Sequence, residues 1–405
     1  MEQKGVAQFF EQYLQNKTIF KNKTALQSNY TPDKIYHRDE QLETTAKILA
    51  PLLRLEKPSN LFIYGKTGTG KTVTVRYVSY QLKKVAQEKN IPIKIIYINC
   101  KLKKVVDTEY RLIAQLIREF GKTIPPTGLP TDEVYNIFYS ALDSTKQIVV
   151  IILDEIDQLV EKIGNEILYN LTRINSELSQ SQLALVGISN DLHFTKSLDP
   201  RVKSSLSEEE IIFPPYNASQ IQNILQQRCA EAFNDNSIEQ GVIEKCAAYA
   251  AREHGDVRRA LELIRVAGEI AERESSQKLA IKHLDNAEEK IEKDTMLDAV
   301  KNQPAQFQLT LYAIFKISQQ KKEAIFTGEI YDTYTTLCNH CGIRPLTQRR
   351  VSDIIAEMDM LGMITAKVIS KGRYGRTREI SIAVSEDLCQ KVSEILEEEL
   401  GIYHA

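Results

Sequence analysis

No stretch of this 405-residue chain is apolar for the length a membrane span requires, so a membrane partner is not expected. Its six cysteines (Cys100, Cys229, Cys246, Cys338, Cys341 and Cys389) lack the spacing of a disulfide framework. Residues 1–20 are polar and interrupted rather than signal-like, and reduced thiols in the cytoplasm are the expectation. Cys338-Asn339-His340-Cys341 offers three ligands where a structural zinc site needs four, and no second cluster lies nearby. Internal repeats and low-complexity segments are missing too. The net charge is only −2, so a nucleic-acid site must be a local patch rather than a field of the whole molecule. What is there, 42% hydrophobic and 26% charged residues, is globular and too long for one core. Two or three domains are expected.

Gly65-Lys66-Thr67-Gly68-Thr69-Gly70-Lys71-Thr72 reads G-x-x-x-x-G-K-T. It follows the apolar run Leu61–Tyr64 and precedes a helical pattern with Val75, Val78, Leu82 and Val85 on one face. Strand, glycine-rich loop and helix form the context in which backbone N–H groups and a helix N-terminus cradle phosphates. Lys71 then reaches the β- and γ-phosphates and Thr72 ligates Mg2+. A nucleoside triphosphate is the implied ligand.

The strand-like run Ile148–Leu153 delivers Asp154-Glu155. This is a Walker B pattern: Asp154 holds the magnesium ion through its waters and Glu155 activates the attacking water. Asp157 reads as a cap of the following helix. Asn190, ending Leu185–Ser189, is either a sensor bridging γ-phosphate and water or a turn former. Arg201 is either a finger for a neighbour's nucleotide or a solvated arginine. Asp256 reads as an N-cap, with Arg258 placed to reach the γ-phosphate.

The runs 61–64, 95–98, 148–153, 183–188 and 211–213 alternate with helical patterns, which predicts a parallel sheet covered on both faces. Pro214-Pro215 closes that region, and residues 217–296 read as helical throughout. After Pro304 come three helical stretches and then strands at 365–370 and 378–384, the pattern of a winged helix-turn-helix. Thr347, Gln348, Arg349, Arg350 and Ser352 fall near the start of a helix with apolar Val351, Ile354, Ile355, Met358 and Leu361. That placement suits base edges and phosphates in a major groove. The hairpin carries Lys371, Arg373, Tyr374, Arg376 and Arg378, which suit a minor groove or the DNA backbone. Duplex DNA is the favoured partner over protein.

On these residues the chain resembles the archaeal replication initiators, relatives of the large subunit of the eukaryotic origin recognition complex and of its helicase-loading partner. The likeness runs from about Tyr30 to Val384. Leu153–Asp157, Thr172–Asn175, Leu198–Leu206, Phe213–Tyr216, Ala251–Leu261 and Gly372–Gly375 carry it most specifically. The resemblance implies an α/β AAA+ core over 30–216, an all-α lid over 217–300 and a winged helix over 301–405, after an N-terminal segment of 1–29. Asn190 becomes the first sensor, Arg258 the second and Arg201 the intersubunit finger. His37, Arg38 and Tyr216 match positions beside the nucleotide base. An initiator-specific insertion near 121–131 would touch DNA through Thr127, Gly128 and Leu129; Pro130 stands where the family has a small polar residue. The long N-terminal extension of the eukaryotic subunit is not seen, which points to an archaeal source.

The function so expected is a slow ATPase, bound to ATP or ADP with Mg2+, that recognises duplex origin DNA, joins other initiator protomers there and helps recruit the replicative helicase. A nucleoid-associated place in the cytoplasm follows. Rival readings are a nucleotide-gated transcription regulator and a clamp-loader-like ATPase acting on protein.

Overall fold

The structure, a computed structural model, describes residues 18–402 other than 29, 102–106, 126, 207, 254, 322–324 and 371–375. The chain divides after Ala287 into two compact units.

The first unit is built on five parallel strands: β1 (Asn60–Tyr64), β2 (Ile93–Asn99), β3 (Ile148–Asp154), β4 (Gln182–Ser189) and β5 (Glu208–Ile212), in the order β2-β3-β4-β1-β5. Strand side chains alternate between faces, so an apolar run with no polar interruption needs cover on both. Phe62, Val149, Ile151, Leu153, Leu183 and Leu185 enter one core. Their neighbours Leu61, Ile63, Val150, Ile152, Ala184 and Val186 enter the other. The last strand lies earlier than the apolar run at 211–213 predicts; the acidic Glu208, Glu209 and Glu210 pair with Asn60, Leu61 and Phe62 at the sheet edge. Charge on an edge strand discourages pairing with other chains.

The covering helices are α1 (Asp39–Leu49), α2 (Lys71–Glu88), α3 (Glu109–Glu119), α4 (Thr131–Leu142), α5 (Ile156–Ile163), α6 (Glu166–Arg173), α7 (Phe194–Ser197) and α8 (Pro200–Leu206). In α2 the buried stripe is Val75, Val78, Leu82 and Ala86, while Val85 is 39% exposed, contrary to the sequence reading. Position 86 lies about three turns from Val75, whereas position 85 falls about 80° short of it. Four helices follow: α9 (Ala218–Ala232), α10 (Val242–Arg252), α11 (Val257–Arg273) and α12 (Ile281–Lys301), within which the division of the units falls. Residues 18–28 and 30–36 form a strap against α9 and α11, with the Lys21 and Asn22 amides donating to Ala232 O at 2.8 and 3.0 Å. Phe20 stacks on Phe233 at 4.6 Å, and it sits so close to Gly268 of α11 that a Cβ there would lie 2.4 Å from its ring.

The second unit contains α13 (Ala305–Gln320), β6 (Ile325–Phe326), α14 (Thr327–His340), α15 (Gln348–Met360), β7 (Ile364–Ser370), β8 (Arg376–Ile382) and α16 (Glu386–Leu400). The strands form an antiparallel sheet, β6-β8-β7. Helix α16 has no counterpart in the sequence reading; it buries Leu388, Val392 and Leu396 at one-turn spacing. In α15, Val351, Ile355 and Met358 are buried, but Leu361 is 42% exposed, since ten positions on from Val351 it falls about 80° off the buried stripe.

Candidate functional site

The glycine-rich loop connects β1 to α2. Gly65 could carry no side chain, since its Cβ would lie 2.5 Å from the Phe213 carbonyl. Gly68 and Gly70 have φ of +68° and +89°, the left-handed region that glycine enters freely. The loop closes around Lys71, whose Nζ donates to Gly65 O at 2.6 Å, Lys66 O at 2.7 Å and Asn190 Oδ1 at 2.9 Å. Burial, then the nearby charge of Arg258, pushes the Lys71 ammonium down to about 8. Lys66 and Thr67 are exposed at the rim, whereas Thr69 is buried and donates to Lys66 O at 2.8 Å.

Asp154, at the end of β3, accepts from Thr72 Oγ1 at 2.9 Å, from Tyr97 Oη at 2.5 Å and from the Glu155 amide at 3.0 Å. Tyr97 escaped the sequence reading; the one signal was an aromatic in the aliphatic strand β2. Burial and then Asp154 raise its hydroxyl to about 12, and the Arg76 guanidinium covers its ring at 4.4 Å. Glu155 has φ +56°, a rare conformation for a residue with a side chain, and strain of this kind gathers at functional sites. Asp157 does not cap α5, since Glu155 holds that place. Its carboxylate accepts instead from Ser189 Oγ at 3.0 Å and the Asn190 amide at 3.3 Å, which fixes the end of β4 beside Lys71.

Asn190, Asp154, Glu155, Lys71, Thr72 and Arg258 therefore line one cleft with the loop glycines. Arg258 is brought there by the start of α11, where Asp256 caps the helix by accepting its amide at 2.8 Å. The contact is close: a Cβ on Gly68 would lie 1.7 Å from Asp256 Oδ1. Gly68, Gly70, Thr72 and Arg258 also border a larger cavity of about 130 Å³, walled by the strap, Tyr216, α9 and α11. Arg38 is buried beside it. Its Nε donates to Thr69 O at 2.9 Å and its Nη2 to Pro214 O at 2.5 Å, with the guanidinium 3.8 Å from the Tyr216 ring centre. Arg38 thus holds the loop from behind. His37 is exposed, with Nε2 3.2 Å from Asn223 Oδ1.

Arg201 does not line this cleft. It lies on α8, its side chain 81% exposed, and pairs with Asp199 at 3.2 Å. Thr127 and Gly128 are exposed, while Leu129 is half-buried against the core. Pro130 is the N-cap of α4, where a ring without an N–H donor is tolerated.

In the second unit, Thr347, Gln348, Arg349 and Arg350 are exposed around the start of α15. Ser352 is half-buried, and its carbonyl accepts from Arg378 Nη1 at 2.6 Å, tying β8 to the helix. Lys371, Arg373 and Tyr374 lie outside the described residues, as does the side chain of Arg376, whose backbone opens β8. Among the described residues, no helix is long and apolar enough to cross a membrane, and no three-residue ligating cluster includes Cys338, His340 or Cys341.

Family models match in three successive segments: an AAA domain over residues 54–194, a Cdc6 AAA+ ATPase-type lid domain over 222–289 and a CDC6 C-terminal winged helix domain over 298–392. The chain is 52% identical over 389 residues to the ORC1-type DNA replication protein of Thermococcus onnurineus, covering 95% of this chain and 93% of that one. It is 53% identical over 388 residues to that of Pyrococcus horikoshii, covering 95% and 92%. The solved structure of the Aeropyrum pernix ORC1 protein in complex with DNA superposes with a TM-score of 0.79 at 42% identity, covering 95% of this chain and 98% of the other.

Proposed function

The chain belongs to the ORC1-type family of DNA replication proteins, with an AAA+ core, a lid and a winged helix, and from that premise we propose that it is an ATP-regulated initiator that grips duplex origin DNA. The observation that carries the reading is the convergence of Lys71, Asp154, Glu155, Asn190 and the lid residue Arg258 on one cleft.

Gly65–Thr72 cradle the phosphates of ATP or ADP, with Lys71 on the β- and γ-phosphates. Tyr216 and the strap border the base, and Arg38 and His37 brace that wall. Thr72 Oγ1 and Asp154 Oδ2, 2.9 Å apart, are hard oxygen donors that suit Mg2+. When bound, the ion neutralises phosphate charge. Glu155 accepts the proton of the attacking water, and Asn190 orients that water. Turnover is slow, and ATP acts mainly as a switch: Arg258 answers to the γ-phosphate and sets the lid. Arg201, outside its own cleft, acts on the nucleotide of a neighbouring protomer on DNA.

DNA is held at two places. Thr347, Gln348, Arg349, Arg350 and Ser352, with the hairpin residues Lys371, Arg373, Tyr374 and Arg376, make one; Thr127, Gly128 and Leu129 make the other. Recruitment of the replicative helicase follows, at the nucleoid. Footprinting across the source genome with ATP and with ADP, at one fixed salt concentration, tests the reading. Discrete protection at replication start regions, lost in an Arg349→Ala/Arg373→Ala double variant, is expected. Protection confined to promoters would make the protein a nucleotide-gated transcription regulator instead.

A further inference from the structure

We propose that Arg228 donates a hydrogen bond to a ring nitrogen of the bound nucleotide's base and is a base-contacting residue of the cleft. The inference rests on the nucleotide-binding reading of that cleft. Of two buried arginines, Arg228 lines the cavity and Arg38 lies behind its wall. Arg38 is occupied by the protein, through the carbonyls of Thr69 and Pro214. Arg228, on α9, is only 6% exposed and has no such carbonyl to bond among the described residues; its charge meets the Tyr30 ring and, through space, the Glu231 carboxylate. It makes no hydrogen bond and no ion pair among the described residues, and its Nη1 is buried without a partner. A desolvated charged donor with nothing to bond is unfavourable, and such groups are rare in folded proteins. Nη1 is sealed in protein; the other N–H groups of the guanidinium are equally unbonded, and those that face the cavity gain a partner when the ligand arrives.

The geometry indicates which part of the ligand that is. Arg228 lines the cavity with Tyr30, Ile224 and Glu231, while Gly68, Gly70, Thr72 and Arg258 line both this cavity and the phosphate cleft. A nucleotide with its phosphates on the loop therefore extends its base toward the Tyr30 end. The Arg228 guanidinium lies 4.4 Å from the Tyr30 ring centre, which fixes its plane. Tyr30 is fixed in turn, since its hydroxyl donates to Glu231 Oε2 at 2.9 Å. Ile35, Ile224, Val257 and Leu261 supply apolar wall for a flat ring. A guanidinium only donates, and N1, N3 and N7 of adenine only accept.

The test uses the full chain and measures affinity by calorimetry for ATP, for its 1-deaza, 3-deaza and 7-deaza analogues and for 2′-deoxy-ATP. Arg228→Met is expected to weaken ATP binding about tenfold or more, the size of one charged hydrogen bond. One deaza analogue should weaken wild-type binding by a similar factor and cost Arg228→Met nothing further. The ligand-free melting temperature of Arg228→Met should stay level or rise, because an apolar chain replaces a desolvated charge, while the shift induced by ATP shrinks. A structural role would instead lower the ligand-free value. Wild-type affinity in Arg228→Met, or losses that simply add, would overturn the proposal, as would coupling to the 2′-hydroxyl. Should Arg228→Met fold poorly, the wild-type series decides, and no loss with any deaza analogue sinks it. Lys71→Ala separates the two levels: ATP binding unchanged in that variant defeats the nucleotide site itself, whereas Lys71-dependent binding indifferent to Arg228 defeats only this inference.

Discussion

Gly68 has no room for a side chain on either count, because its φ is +68° and its Cβ would enter the Asp256 carboxylate. Gly68→Ala must therefore push the start of α11 away from the loop, taking Arg258 with it. We expect ATP affinity to fall at least about tenfold, the equivalent of 1.4 kcal/mol, and an isothermal titration matching wild type would refute the contact. Glu155→Gln makes a different prediction. The amide keeps the shape but cannot take a proton, so ATP should bind normally while turnover falls by about 10²–10⁴, as general-base losses do. Single-turnover hydrolysis at wild-type rate would remove Glu155 from the chemistry. Lys71, Asp154 and Glu155 were legible in the sequence because their roles depend on chain neighbours: a glycine run before one, an apolar strand before the others. Tyr97 and Arg38 were harder to read. Tyr97 meets Asp154 only because β2 pairs with β3, and Arg38 meets Tyr216 only because α1 starts behind the loop.

At the scale of elements, the start of α11 has two duties. Asp256 caps the helix, and the same turn presents Arg258 to the cleft. Asp256→Ala should lower stability by about 0.5–2 kcal/mol, the range for a lost N-cap, while Asp256→Asn should keep most of it. A urea titration in which Ala and Asn behave alike would show that the cap contributes nothing there. The loss should also fray the turn carrying Arg258, so Ala should weaken ATP more than Asn does. Strands β1 to β4 were readable because apolar residues on both faces leave few alternatives to a covered parallel sheet. Strand β5 was read late, because its acidic half looks like a loop until edge pairing explains it. Helix α16 was missed because Glu394, Glu397, Glu398 and Glu399 make its sequence look solvent-facing, yet Tyr312 donates to Glu397 at 2.8 Å and Gln308 to Glu399 at 2.7 Å. Those bonds are made across the fold with α13, and no local pattern announces them.

For the whole molecule, the charge balance decides how DNA must be held. With a net charge of −2, the protein has no long-range attraction for a polyanion, so affinity has to come from a few well-placed cations. Arg349 is the clearest of these among the described residues. It is exposed at the start of α15, and no carboxylate there engages it, whereas Arg350 lies 3.7 Å from Asp353. Arg349→Ala should therefore weaken origin-duplex binding more than Arg350→Ala. If Arg349 meets a phosphate, the loss is uniform across sequences and the slope of log affinity against log salt falls by about 1. If it meets a base, the loss is about 1–3 kcal/mol and is confined to duplexes carrying that base. Anisotropy titrations at several salt concentrations, on origin and scrambled duplexes, separate the two. Measured without DNA, ATP affinity should be untouched in either case, because Arg349 is not among the residues that line the nucleotide cleft. An Arg349→Ala variant that binds every duplex as wild type does would remove the start of α15 from the DNA surface.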